Sequence, residues 1–256
     1  MTPRLYITAA LETDTAAPLS QAQAHYLKNV LRRGEGDELR LFNGRDGEFA
    51  GEIVALKKKA GLVAVKAQTR MQETGPDLTL CFAPVKRGPL EMIIQKATEI
   101  GVARFLPVIT ERTTAPKINC ERLEAIAIEA AEQCGRMDVP IVAAPVKLER
   151  MLDDWPTEQQ LVFCDEAGDD EGAEWGGRHG RAAPALEALK TTNSKTHKWA
   201  VLTGPEGGFS FAERNRIRAM AFVTPITLGP RILRADTAAL AALVLWQAAL
   251  GDWRRS

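Results

Sequence analysis

Two short segments near the end of the chain decide its fold: LTGPEGGFS at residues 202–210 and LGPRILRADTA at residues 228–238. Each follows an apolar run typical of a buried strand, and each precedes a helical pattern. Glycine lets the main chain approach a ligand closely, so two Gly-rich turns after two strands predict a site where backbone groups surround one small molecule. The segments contain neither the Gly-Lys-Ser/Thr of a Walker A loop nor the Gly-x-Gly-x-x-Gly of a dinucleotide fingerprint.

The rhythm upstream of these segments divides the chain in two. Residues 4–72 alternate as short strands with turns at Asn43-Gly44 and Asp46-Gly47, and a single helix is predicted at 21–31, which is the pattern of a small β-barrel. Thr74-Gly75-Pro76 marks a linker. Strands and helices alternate beyond it, which predicts an α/β domain with a largely parallel sheet. The predicted strands are 77–83, 104–108, 139–142, 160–164, 198–203 and 222–228, and residues 168–184 read as a surface loop.

Composition excludes several classes of protein. The 256 residues are 45% hydrophobic and 26% charged, no apolar run is long enough to span a bilayer, and the amino terminus lacks the pattern of a secretory leader. We therefore expect a cytoplasmic protein. The four cysteines are dispersed without a Cys-x-x-Cys pair, and the three histidines have no ligand partners at a telling spacing, so we expect neither disulfides nor a metal site.

The formal net charge of zero conceals an uneven distribution. Residues 149–175 hold ten acidic side chains and one basic, so the rest of the chain carries 32 basic and 23 acidic residues, a net charge of +9. This imbalance is compatible with a basic face for nucleic acid and equally with an ordinary solvated surface.

The ordered set of motifs resembles the SPOUT class of S-adenosylmethionine-dependent RNA methyltransferases, and within it the bacterial enzymes that methylate N3 of a uridine in 16S ribosomal RNA. Besides the two Gly-rich segments, the resemblance is carried by 25–32 (HYLKNVLR), Lys86, 95–101 (QKATEIG), Pro107, 110–112 (TER), 129–136 (EAAEQCGR) and Val139-Pro140. It therefore covers nearly the whole chain.

The resemblance implies an architecture and a reaction. It implies a PUA-like RNA-binding β-barrel over residues 1–74 and a SPOUT α/β domain over 75–256 that is threaded into a trefoil knot. It also implies a homodimer that binds S-adenosylmethionine, needs no metal, and acts on 16S rRNA or the small ribosomal subunit. The knot rests on the resemblance alone.

Backbone groups and apolar walls form the expected cofactor site. The alternative is that these glycines only shape a turn before a helix that Ser210 and Glu213 cap. In the resembling family the turns hold the cofactor while leucine and isoleucine side chains enclose its adenine. The predicted cofactor-binding residues are Leu202, Thr203, Gly204, Pro205, Glu206, Gly207, Gly208, Leu228, Gly229, Ile232 and Leu233.

Four residues are candidates for the chemistry: Glu206, Arg231, Arg234 and Asp236. The uridine N3–H is weakly acidic, so methylation needs a base to remove its proton and a cation to stabilise the uracil anion. The alternative is a surface ion pair in which Asp236 serves as the N-cap of the last helix. Asp236 also stands where the resembling enzymes usually carry Glu.

Basic side chains are the expected RNA contacts, because they position nucleic acid through its phosphates. The set comprises His25, Arg32, Arg33, Arg45, Lys86, Lys96, Arg112 and Arg136. Two other functions stay open: a ribose 2′-O-methyltransferase of the same class, and a non-catalytic RNA-binding protein of ribosome assembly.

Overall fold

The computed structural model describes residues 2–114, 118–170, 172–192 and 196–254. Two compact units divide them. The first unit comprises the residues up to Thr74 together with Ile128–Val139, and the second comprises Gly75–Ala127 and the residues from Pro140 onward. The functional division at residue 74 stays a prediction.

The first unit is built on a five-stranded sheet. Its strands are β1 (Arg4–Tyr6), β2 (Ala16–Leu19), β3 (Glu38–Phe42), β4 (Glu48–Leu56) and β5 (Gly61–Arg70), in the order β1-β3-β4-β5-β2. The pairing of β1 with β3 is parallel and the other three are antiparallel. Helix α1 (Gln21–His25) continues as a π-helical turn over Tyr26–Val30, so the predicted helix at 21–31 is present in two forms.

Arg4 attaches the end of a distant helix to this sheet. Its guanidinium pairs with Glu48 at 2.7 Å and donates to the carbonyls of Ala131, Glu132 and Arg136. Helix C-termini leave carbonyls without intrahelical partners, and an arginine is a suitable donor for them. Residues 128–139 thus belong to the first unit although they lie far away in sequence.

The second unit is an α/β domain. Its strands are β6 (Asp77–Phe82), β7 (Arg104–Ile109), β8 (Ile141–Val142), β9 (Val146–Lys147), β10 (Gln160–Cys164), β11 (Lys198–Thr203) and β12 (Val223–Ile226). Its helices are α2 (Arg87–Ile100), α3 (Cys120–Cys134, shared with the first unit from Ile128), α4 (Leu148–Asp153), α5 (Ala185–Thr191), α6 (Phe211–Arg218) and α7 (Ala235–Ala249). The strand order is β12-β10-β11-β6-β7-β8, β9 pairs with β7, and every one of these pairings is parallel.

The predicted mixed α/β class with a largely parallel sheet is therefore confirmed, whereas the knot stays a prediction. The strand order has a consequence for the site, because β10 lies between β11 and β12. The carboxyl ends of parallel strands meet at one edge, where open α/β sheets bind their ligands. The segment that follows β10 is thus placed between the two Gly-rich segments.

Two predictions concern the N-caps of helices, and the structure confirms the one for α6 but not the one for α7. Ser210 and Glu213 form a reciprocal capping box at the start of α6, as predicted. The predicted N-cap role of Asp236 is wrong, because α7 begins at Ala235 and its N-cap is Arg234. Asp236 lies inside the first turn, where its negative charge interacts favourably with the positive end of the helix dipole.

Apolar periodicity in the last helix predicts a buried stripe of Leu240, Leu243, Val244 and Ala248, but the buried face of α7 differs from it. Of these only Leu243 is buried, and the face instead comprises Ala238, Ala239, Ala242, Leu243, Trp246 and Gln247. Nearly every residue of this helix is apolar, so periodicity alone does not select a face.

No helix in the described part of the chain is long and apolar enough to cross a bilayer.

Candidate functional site

A cavity of about 1020 Å³ opens in the second unit at the carboxyl ends of β10 and β11. Three parts of the chain form its walls: the first Gly-rich turn, the segment after β10, and the second Gly-rich segment up to the first turns of α7. The predicted site residues that line it are Lys86, Arg112, Thr203, Gly204, Pro205, Glu206, Gly207, Gly208, Ile232, Leu233, Arg234 and Asp236.

The first Gly-rich turn is held from two sides. Glu213, which caps α6, also accepts the backbone N–H of Glu111 at 2.8 Å. Arg112 donates to the carbonyl of Gly207 at 3.1 Å. Gly208 has φ +67°, a left-handed conformation that glycine adopts without strain. The turn is thus fixed while Glu206 at its centre remains exposed.

The second Gly-rich segment contributes unevenly. Ile232, 40% exposed, and Leu233 offer apolar surface to the cavity. Leu228, Gly229 and Arg231 are not among the lining residues, and Leu202 lies fully buried in the core beneath the first turn. The structure thus brings twelve of the predicted residues to one cavity and leaves these four, and six of the predicted RNA contacts, outside its lining.

Asp236 and its neighbours do not form the predicted surface ion pair. Asp236 Oδ1 accepts the backbone N–H of Thr237 at 2.8 Å. Within the described part of the chain, no ion pair joins Asp236 to Arg231 or Arg234. Both arginines are exposed, so their charges remain available to a ligand.

Sequence reasoning missed the third wall, which is formed after β10 by residues 165–168, 170 and 173–176. Asp165, only 2% exposed, accepts hydrogen bonds from Arg214 and Arg218 of α6. Arg214 is 3% exposed and also binds Asp169 and the carbonyl of Ala167. Arg214 and Arg218 lie one helical turn apart on α6, the helix that follows the first Gly-rich turn. They thus hold residues 165–169 against that helix.

Glu166 follows directly and faces the cavity lining. Its Oε1 accepts the backbone N–H of Leu228 at 3.1 Å, while its Oε2 is buried without a hydrogen-bond partner among the described residues. Burial raises the pKa of this carboxyl above its usual range. A buried carboxylate oxygen without a partner is costly unless a ligand supplies a donor. No local motif marks Glu166; the acidic run 165–171 was the only signal in the sequence.

The other predicted RNA contacts differ in how free their charges are. In the first unit His25 and Arg32 are exposed, whereas Arg33 pairs with Asp37 and the exposed Arg45 pairs with Asp46, both at 3.7 Å. Arg136 pairs with Asp138 through two hydrogen bonds and is 12% exposed, which assigns it a structural contact. In the second unit Lys96 pairs with Glu99 at 2.8 Å, while Lys86 and Arg112 reach the cavity.

Comparison with known proteins identifies the family. A model of the RNA methyltransferase domain matches residues 72–247, and a model of the RNA methyltransferase PUA domain matches residues 19–66. The chain is 32% identical to ribosomal RNA small subunit methyltransferase E of Rickettsia conorii, over 94% of this chain and 93% of that protein. It is 30% identical to the enzyme of the same name from Bacillus subtilis, over 94% of each. The chain belongs to this RNA methyltransferase family.

Solved structures of the family agree with the fold. A putative methyltransferase from Legionella pneumophila in complex with S-adenosylmethionine superposes with a TM-score of 0.81 at 31% identity, over 98% of this chain and 99% of that one. A ribosomal RNA small subunit methyltransferase E from Neisseria gonorrhoeae bound to S-adenosylmethionine gives 0.81 at 26% identity, over 99% and 100%. The predicted family, the PUA-like first domain and S-adenosylmethionine as the family's cofactor are confirmed.

The cavity fits that cofactor on its own evidence. The first Gly-rich turn presents backbone groups, Ile232 and Leu233 offer apolar surface to an adenine, and Glu166 holds an acceptor that no described protein group satisfies. Apolar walls with a few fixed polar groups are typical of small-ligand sites. Among the described residues, no cluster of three or more His, Cys, Asp or Glu side chains is arranged as a metal site.

Proposed function

We propose that this methyltransferase transfers the methyl group of S-adenosylmethionine to N3 of a specific uridine in 16S ribosomal RNA. The observation that carries the proposal is that one cavity is lined by the first Gly-rich turn with exposed Glu206 and by Arg234, exposed, and Asp236, partly exposed, of the second Gly-rich segment. Such a lining holds a charged small molecule through backbone groups and leaves acidic and basic side chains for a second reactant.

The cofactor supplies an electrophilic methyl group, and the residues supply orientation and proton chemistry. We expect Gly204 to Gly208 to bind the cofactor through main-chain groups, and Glu166 to accept a hydrogen bond from it. Holding two reactants in line contributes much of the acceleration in a single displacement. No covalent enzyme intermediate is needed.

We assign the base to Asp236 and the anion-stabilising cation to Arg234. Asp236 is neither a helix cap nor, among the described residues, an ion-pair partner, and it lines the cavity. Arg234 stands two residues earlier and is exposed on the same lining. Removing the N3 proton and neutralising the developing charge are the two tasks the reaction requires. Glu206 is the second candidate base, and Arg231 a phosphate contact.

The RNA, the assembly and the location extend the same proposal. The PUA-like first domain carries exposed Arg32 and Arg45, which we propose bind the RNA backbone. A homodimer and a knotted second domain are part of the proposal through the resemblance of the motifs. A ribosomal substrate places the enzyme in the cytoplasm.

Nucleoside mass spectrometry tests the proposal. The purified protein is incubated with S-adenosylmethionine and either free 16S RNA, small subunits or whole ribosomes lacking the modification, and the digested product is analysed. We expect 3-methyluridine. A 2′-O-methylated nucleoside would instead show a ribose methyltransferase. RNA retention without S-adenosylhomocysteine binding in calorimetry would show a non-catalytic RNA-binding protein.

A further inference from the structure

Trp175 is an exposed tryptophan at the cavity that the proposed reaction does not yet use. It lines the cavity and is 37% exposed. Within the described part of the chain its ring stacks on no other aromatic side chain. A large aromatic surface left open in a binding cavity is surface available to a ligand.

The backbone at Trp175 is unusual for such a side chain. Its φ of 53° and ψ of 31° lie in the left-handed region, which bulky residues rarely occupy. Gly176 and Gly177 follow with φ of 66° and 65°. Strained backbone positions occur preferentially at functional sites, where the surrounding structure holds them.

The segment around Trp175 supports the strained position. The carbonyl of Trp175 accepts the N–H of Gly168 at 3.0 Å, and Asp170 donates to the carbonyl of Gly176 at 3.1 Å. A side chain at Gly168 would place its Cβ 2.0 Å from the carbonyl oxygen of Gly176, so the backbones of these two glycines are in close contact. The ring is therefore presented from a packed support.

Trp175 and Arg112 flank the same turn. A Cβ at Gly208 would lie 3.3 Å from the Trp175 ring, and a Cβ at Gly207 would lie 3.6 Å from Arg112 Cβ. Arg112 is exposed. An aromatic ring for a base and a cation for the neighbouring phosphate is the combination with which proteins hold unstacked nucleotides of single-stranded RNA.

We propose that Trp175 is the stacking platform for the unpaired pyrimidine base of the RNA substrate, with Arg112 on the adjoining phosphate. The proposal rests on the proposed function, since it assigns the second reactant of that cavity. The cofactor's adenine is the competing nucleobase, and it has its own apolar surface at Ile232 and Leu233.

Three variants of the full-length protein test the assignment. Trp175→Leu removes the ring but keeps an apolar side chain, Trp175→Phe keeps a ring, and Trp253→Leu removes another exposed tryptophan that is not among the cavity-lining residues. RNA affinity is measured by fluorescence anisotropy with a uridine-containing oligonucleotide and with 16S RNA, KM and kcat by methyl incorporation, and S-adenosylhomocysteine affinity by calorimetry.

We expect Trp175→Leu to raise the RNA Kd and KM about fivefold or more, since one base–aromatic stack has that weight. Its S-adenosylhomocysteine affinity should stay within about twofold of wild type, Trp175→Phe should retain most RNA affinity, and Trp253→Leu should match wild type. Weakened S-adenosylhomocysteine binding with unchanged RNA affinity would overturn the assignment in favour of adenine. Unchanged values for both ligands would overturn it outright. If wild type methylates no RNA but Trp175→Leu alone weakens RNA binding, the proposed function fails and the stacking assignment stands.

Discussion

At the scale of single residues, Asp236 gives the sharpest test of the chemistry. Asp236→Asn keeps the size of the side chain and the acceptor for Thr237 but removes the base. We expect kcat to fall about 100-fold at neutral pH and to recover partly as the pH rises toward deprotonation of the uridine itself. S-adenosylhomocysteine affinity should be unchanged. A pH series of single-turnover rates measures this.

Glu206→Gln is the matched control for that experiment, because Glu206 is the second candidate base and an exposed carboxylate of the same lining. Wild-type rates in Asp236→Asn together with loss in Glu206→Gln would move the base to Glu206. A low rate in Asp236→Asn that does not change with pH would contradict proton chemistry and indicate a defect in RNA docking.

Glu166 carries the residue-scale prediction for the cofactor. Glu166→Ala removes the oxygen that lacks a protein partner, and we expect S-adenosylhomocysteine Kd to rise about tenfold, the weight of one hydrogen bond to a charged group. The control is Glu187→Ala, an exposed carboxylate on α5 outside the lining. Calorimetry at constant pH compares the two, and equal affinities would remove Glu166 from the cofactor site.

Local sequence predicts the parts of the site that local physics determines. The Ser210–Glu213 cap and the left-handed Gly208 follow from residues a few positions apart. Gly204 shows the limit: its side-chain space is filled by the ring of Phe209, 2.7 Å from an ideal Cβ, rather than kept open for a ligand. Glu166 and Trp175 reach the cavity only because β10 lies between β11 and β12. The order of strands in a sheet depends on contacts between distant segments, so local sequence does not predict it.

At the scale of elements, the pairing of α6 with the segment after β10 supports the cavity wall. Arg214→Met would leave Asp165 buried with Arg218 as its remaining partner, and we expect a loss of about 3 kcal/mol in the free energy of unfolding. Arg216→Met is the control on the same helix, since its pair with Asp153 is exposed and should contribute less than about 1 kcal/mol. Urea denaturation measures both, and similar losses would show that burial does not decide the effect.

Helix α3 carries a group whose protonation should affect stability. Glu132 accepts the N–H of Tyr6 at 2.9 Å, and burial, with a smaller contribution from Glu129, raises its pKa to about 7. The fold therefore favours the protonated carboxyl: its contribution is complete below the ordinary pKa of glutamate and is lost as the pH rises through about 7.

Glu132→Gln is neutral at every pH and still accepts from Tyr6. Between pH 5 and 8 the wild type should lose about 2 kcal/mol of unfolding free energy relative to this variant. Glu124→Gln, exposed on the same helix, should follow the wild type. Parallel pH profiles for wild type and Glu132→Gln would contradict the raised pKa.

Element types proved easier to predict than faces or partners. Strands that are short apolar runs, such as β10 and β11, have the predicted bounds. The predicted buried face of α7 was wrong because the sides of this alanine-rich helix do not differ in hydrophobicity. Residues 128–139 pack with the first unit through Arg4, a contact across about 130 positions that no periodicity encodes.

At the scale of the whole molecule, this packing affects how RNA binding is tested. A cut at residue 74 would remove Arg4 and leave the carbonyls of Ala131, Glu132 and Arg136 without their donor. Loss of activity after such a cut would then reflect folding as well as RNA contact. Point substitutions of exposed arginines avoid this ambiguity.

Arg32 and Arg33 form a matched pair for that purpose. They are adjacent in sequence, but Arg32 is exposed and unpaired among the described residues, while Arg33 is bound to Asp37. If the net charge of +9 outside residues 149–175 serves RNA, log affinity should fall linearly with log salt concentration. We expect Arg32→Ala to reduce the steepness of that slope by about 1, since one phosphate contact releases about one counterion, and Arg33→Ala to reduce it less. Filter binding of 16S RNA across a salt series measures both slopes. Equal, unchanged slopes would exclude this turn from the interface and leave the basic residues around the cavity as the RNA contacts.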